Sequence, residues 1–126
     1  MNGSCNITIN GQPVGLKFAY PAIKWFTEAS MKDDGIFFTP GEDSTFTVEG
    51  LAKLIQCSYR NQCLLKEIEP SLSYEDFFNY VEDNQDSEEG QKELLRITEV
   101  YATASVIKRL IDAQKKNQQN GVMVSQ

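Results

Sequence analysis

Asn10-Gly11 lies between two runs of alternating apolar residues, and this arrangement restricts the fold more than any other feature of the chain. Asn-Gly favours a two-residue type I′ turn, because both central positions need positive φ. Ile7 and Ile9 precede it, and Val14, Leu16 and Phe18 follow. With these two residues as the loop, Ile9 faces Gln12, Ile7 faces Val14 and Cys5 faces Leu16. Apolar side chains then meet on one face of a hairpin over 5–18. Pro13 falls opposite Thr8 in a non-hydrogen-bonded pair. Its missing N–H points outward, so that side must be a sheet edge. A lone hairpin is barely stable in water, so the rest of the chain must cover it.

Most of that remainder reads as helix. Pro21 suits the first helical position. Ala22, Ile23, Phe26, Ala29 and Ser30 follow with helical spacing, which predicts a helix over 20–33 closed by a glycine cap at Asp33-Asp34-Gly35. Residues 35–44 read as a loop with a Pro40-Gly41 turn. Its apolar Ile36-Phe37-Phe38 either tucks onto the core or pairs briefly as a strand. Two further helices, at 47–65 and 73–83, start alike. Thr47 caps the first, with Phe46 placed to staple to Leu51. Ser73 caps the second, Asp76 closes a capping box, and Leu72 is placed to staple to Phe77. Gly50 weakens the first turn of the earlier helix. Residues 84–90 read as a polar linker. Ser87 caps a last helix over 88–116, with Leu94, Ile97, Tyr101 and Ala104 as its stripe. Residues 117–126 read as a flexible tail. The expectation is one domain over 1–116, α+β but mainly α, with an N-terminal β-hairpin packed on a four-helix orthogonal or bundle-like core.

Charge and composition exclude several function classes. The chain has 126 residues and a net charge of -6. Between Glu67 and Glu89 there are nine acidic residues and no Lys or Arg. Phosphate backbones repel such a chain, so no nucleic-acid partner is expected. No apolar run approaches the roughly 18 residues of a membrane span, so no membrane partner is expected either. The first ten residues lack the basic and apolar regions of a signal peptide, so the expected location is the cytoplasm. Cys5, Cys57 and Cys63 are odd in number, and Cys57 and Cys63 are six apart. They read as reduced, packed thiols.

Catalytic chemistry is thin. Histidine, the commonest general base and metal ligand, is missing from the sequence. No phosphate-binding glycine loop or nucleophile-elbow motif occurs. The acidic run at Asp83 fails the calcium-loop pattern: its sixth position is Glu88 where Gly is required, and its twelfth is Leu94 where Glu is required. The reading is a non-enzymatic binding protein without cofactor or metal. Exposed aromatics anchor such surfaces. Tyr20 and Trp25 lie on a helix flank, and Phe37 and Phe38 lie in the 35–44 loop. These four are the expected partner contacts, with Glu82, Asp83 and Asp86 as an acidic rim.

The order of parts resembles a known family. Ile7-Thr8-Ile9-Asn10-Gly11 is followed by Leu16-Lys17-Phe18 and Ala22-Ile23-Lys24-Trp25-Phe26. Leu51-Ala52-Lys53-Leu54-Ile55, Leu72-Ser73-Tyr74-Glu75-Asp76-Phe77 and Val81-Glu82-Asp83 come after a variable loop. The series resembles the tail assembly chaperones of long-tailed bacteriophages and related prophages, over roughly residues 6–111. The resemblance implies a chaperone in the bacterial host cytosol, bound to a helical tape-measure protein or to tail-tube subunits. The family carries no catalytic residues. This chain departs from it in a long 35–44 loop and in a C-terminal end that is basic and Gln/Asn-rich instead of acidic. Two other readings stand beside it. One is a small acidic regulatory protein, an anti-repressor or DNA mimic. The other is a structural subunit that self-associates through its hairpin edge.

Overall fold

In the computed structural model, which describes residues 3–32, 36–40 and 45–104, the chain opens with an antiparallel hairpin. Its strands are β1 (Ser4–Ile9) and β2 (Gln12–Lys17). Asn10 and Gly11 take φ of 53° and 76°, the positive values that a type I′ loop needs. Ile9 pairs with Gln12, Ile7 with Val14 and Cys5 with Leu16, with Thr8 opposite Pro13. A shift of one residue would turn the apolar set to solvent. In this register Ile7, Ile9, Val14 and Leu16 are all buried.

Four helices follow: α1 (Tyr20–Lys32), α2 (Val48–Lys66), α3 (Tyr74–Gln85) and α4 (Glu88–Thr103). The architecture is therefore α+β and mainly α. Because α1 starts at Tyr20, Pro21 occupies its second position, where a missing N–H is still harmless. The glycine cap expected at 33–35 lies outside the described residues. No helix among the described residues is long and apolar enough to cross a membrane.

α2 forms the centre of the fold, packing against α1, α3 and β2. Leu54 and Ile55 are fully buried, and Phe18, Leu16, Phe77, Val81 and Ile97 complete the interior around them. Each of these large side chains contributes about 1.5–3 kcal/mol by leaving water. Two buried polar groups on α2 are also satisfied. Ser58 donates to the Ile55 carbonyl at 2.7 Å. Asn61 Oδ1 accepts from the Ala22 amide of α1 at 3.1 Å. Tyr59 accepts at its hydroxyl from the amides of Ser71 (2.8 Å) and Leu72 (3.3 Å), which pins the approach to α3.

Residues 36–40 and 45–47 form a short two-stranded bridge. Phe38 pairs with Phe46, the Thr39 amide donates to the Thr45 carbonyl at 2.8 Å, and the Thr47 amide donates to the Phe37 carbonyl at 3.0 Å. Thr47 joins this bridge to α2: its hydroxyl accepts from the Gly50 amide at 3.0 Å and donates to the Ile36 carbonyl at 2.7 Å. Gly50 has a packing role. A Cβ there would lie 2.0 Å from the Phe37 carbonyl oxygen, so only glycine lets the bridge rest on the first turn of α2.

Two expectations about α4 are corrected. The linker expected over 84–90 is only Asp86 and Ser87. The start of α4 passes so close to the end of α3 that a Cβ at Gly90 would lie 2.1 Å from the Asn84 carbonyl oxygen. Polar composition alone does not distinguish a tight helix corner from a loose linker. The helix expected over 88–116 stops at Thr103. Ala104 takes an extended conformation (φ -60°, ψ 141°) and is buried beside Gly3 at the start of the hairpin. The remainder of that helix and the tail expected at 117–126 lie outside the described residues.

Candidate interaction surface

The bridge and α4 together form an apolar groove. Phe46 lies edge-on to Tyr101 of α4, with ring centroids 5.9 Å apart, and Phe38 tilts against Phe46 at 5.3 Å. Between them and α4 is an open cavity of about 480 Å³, lined by Phe38, Phe46, Leu51, Leu94, Leu95 and Thr98 among others. Leu95 is 59% exposed and Phe38 is 37% exposed. Folding buries the neighbouring Leu94 and leaves these two side chains in water.

The four aromatics expected to form a contact patch are dispersed. Tyr20 is exposed at the start of α1. Trp25 is half-buried under the Arg60 guanidinium, which sits 4.0 Å from its ring centroid in a cation–π contact. Phe38 lines the groove. Phe37 does not reach the surface: it is buried and stacks on Phe26 with centroids 5.6 Å apart. Phe38 also touches the Phe26 ring, edge-on with centroids 6.1 Å apart, but keeps part of its surface in the groove. Phe37 is thus part of the core, and its assignment as a partner contact is withdrawn.

Glu82, Asp83 and Asp86 are exposed near the end of α3, but they do not rim the apolar groove. Asp83 instead lines a separate polar groove beside β1, which shares no lining residue with the apolar one. Leu94, Leu95, Phe46 and Leu51 therefore replace Phe37 and the acidic rim as the lining of the apolar site. The signal for Leu95 was present in the sequence as the Leu94-Leu95 pair. Two adjacent leucines sit about 100° apart on a helix, so only one can occupy the centre of the buried stripe.

Between the hairpin and α4, Arg96 donates to the Asn6 carbonyl at 2.9 Å and pairs with Glu93 one turn earlier. The hydrogen bond from Arg96 holds the Glu93 carboxyl below its usual range. Burial pushes the Tyr80 phenol up to about 12 and the Cys57 thiol up to about 11. Burial likewise raises Cys5. Cys5 and Cys57 thus stay protonated at neutral pH, the reverse of the activation that a nucleophilic cysteine needs. Among the described residues, no three Cys, Asp or Glu side chains are grouped to hold a metal ion.

Comparison with protein-family models, with curated proteins and with solved structures yields no match. The surfaces themselves therefore provide the structural basis for a functional reading.

Proposed function

We propose that this chain is a non-enzymatic tail assembly chaperone of a long-tailed phage or prophage, acting in the bacterial cytoplasm. Its apolar groove holds a helical stretch of a tape-measure or tail-tube protein until the tail assembles. The observation that supports this reading is the open groove between the Phe38–Phe46 bridge and α4. Its α4 wall runs from Gln91 to Thr98, two helical turns or about 10 Å, which suits a short stretch of a guest helix. An amphipathic guest presents anchors at i, i+3, i+4 and i+7, and exposed leucine and phenylalanine side chains are the surfaces such anchors seek. Leu95 and Phe38 are 59% and 37% exposed, so covering each would contribute about half of the 1.5–3 kcal/mol that burying a fully exposed side chain gives. The choice of partner rests on the order of sequence motifs described above.

The test is binding of the purified chain to fragments of phage tape-measure and tail-tube proteins, measured by calorimetry. Binding should weaken at least about tenfold in Leu95→Asp and further in Phe38→Asp/Leu95→Asp, because each places a charge in an apolar contact. Circular dichroism of Leu95→Asp should stay that of the parent, since Leu95 is 59% exposed. Unchanged affinity in the double variant would reject the groove. Failure of every fragment to bind the parent would reject the chaperone reading.

A further inference from the structure

Among the described residues, the hairpin has a free edge, and this edge faces the polar groove. β1 and β2 form a two-stranded sheet, so among the described residues each strand has one side without a neighbouring strand. Ile9 and Gln12 flank the two-residue loop and exchange ladder hydrogen bonds, and the pairing alternates from there. Asn6 and Thr8 therefore aim their amide and carbonyl groups away from β2. The corresponding outward groups on β2 belong to Pro13, which has no N–H, and to Gly15, which lies under the Gln62 side chain. The β2 side is guarded and the β1 side is open. On β1 the Asn6 carbonyl already accepts from Arg96. Among the described residues, no hydrogen bond reaches the Thr8 amide or carbonyl.

α3 forms the opposite wall. Asp76, Tyr80 and Asp83 lie three or four residues apart on one face of it, and with Glu93 of α4, Asn6 to Ile9 of β1 and Asn10 of the turn they line a groove of about 570 Å³. Among the described residues, the lining holds three carboxylates and no Lys or Arg. Asp76 is committed to the Ser73 cap and Glu93 to Arg96. Asp83 has no ion-pair partner among the described residues. The Tyr80 hydroxyl makes no hydrogen bond among them either.

We infer that this groove takes an extended, lysine- or arginine-bearing segment of a partner protein as a third strand beside β1. The edge asks for a guest with free backbone amides and carbonyls at strand spacing, which a helix does not offer. The α3 wall asks for positive charge on every second guest side chain, because those side chains point toward Asp83 when the guest backbone pairs with Thr8. A second copy of this chain answers the first requirement and not the second: its β1 is uncharged, and it would bring its own α3 carboxylates to the same place. The surface is separate from the apolar groove in residues and in the form of its guest.

The probe is a short fluorescent peptide of alternating lysine and valine, titrated by anisotropy against the full chain. Two comparison peptides carry glutamate for lysine, or the same lysines on a fully N-methylated backbone. The lysine peptide should bind, and both comparison peptides should bind at least about tenfold more weakly. Asp83→Lys should weaken the lysine peptide about tenfold, and Thr8→Pro should do the same by removing the outward amide. In NMR spectra the lysine peptide should shift the Asn6 and Thr8 amides. Asp83 lies on a helix surface away from the sheet, so its variant tests the groove even if Thr8→Pro unfolds the hairpin. Equal binding of the N-methylated peptide would show attraction by charge alone and overturn the strand. Equal binding of the glutamate peptide, or no effect of Asp83→Lys, would overturn the site. A parent dimer by light scattering that Thr8→Pro converts to monomer would assign the edge to a second copy and also overturn the inference. Leu95→Asp should leave this binding unchanged, so the two surfaces stand or fall separately.

Discussion

Asn61 shows how one polar side chain can hold two helices together. It is 1% exposed, and its Oδ1 takes the amide of Ala22, one of the first-turn donors of α1 that no helical carbonyl can reach. A residue of α2 thus caps α1 from outside. Asn61→Ala leaves that donor buried and unpaired, and should lower the unfolding free energy by about 2 kcal/mol in urea titrations. Phe37 and Phe38 give a second residue-scale lesson. Adjacent and chemically identical, both touch Phe26, yet Phe37 is a buried ring stacked on it and Phe38 a partly exposed ring of the groove. The dipeptide shows that one of them can be exposed, and the Phe38–Phe46 bridge decides which.

Among the elements, helix starts follow local chemistry closely. Thr47, Ser73 and Ser87 each accept at the side chain from the amide three residues on, and Ser73 with Asp76 forms a reciprocal box. Helix ends follow it less well. Glu67 closes α2 in the left-handed conformation, with φ of 56°, at a position that glycine usually fills. A side chain costs about 1 kcal/mol in that conformation, and Glu67 is exposed, so it makes no core contact that would offset the cost. Glu67→Gly should therefore raise the urea midpoint, with a gain of about 1 kcal/mol partly reduced by the greater freedom of the unfolded chain. At α4 the ending is tertiary, set by the fit of Ala104 beside Gly3.

For the whole molecule, burial sets how stability responds to alkali. Cys57 is raised from 9.0 to about 11, and Tyr80 from 10.0 to about 12. Both folded values exceed the unfolded ones, so the native state holds more protons between them. Stability should be undiminished below pH 9, and should fall as pH rises from about 9 to about 12. Urea midpoints measured from pH 7 to pH 11 test this. Cys57→Ala should flatten the earlier part of the decline and leave the part that begins near pH 10. Also at this scale, the molecule divides its exposed chemistry between an apolar groove on the α4 side and a polar, acidic groove on the β1 side. A partner with a helical stretch and a basic extended stretch would engage both.

The sequence by itself determined the hairpin with its register, the four helices and their starting caps. Those features are decided by residues within about four positions of one another, where turn preference, capping and periodicity act directly. Tertiary structure alone decided which aromatics face water, where α4 stops, and that Leu95 and Phe38 share a groove. These depend on residues distant in the chain: Asn61 meets Ala22 across 39 positions and Arg96 meets Asn6 across 90. No local pattern encodes such meetings, because exposure is settled only when packed elements compete for the same interior volume.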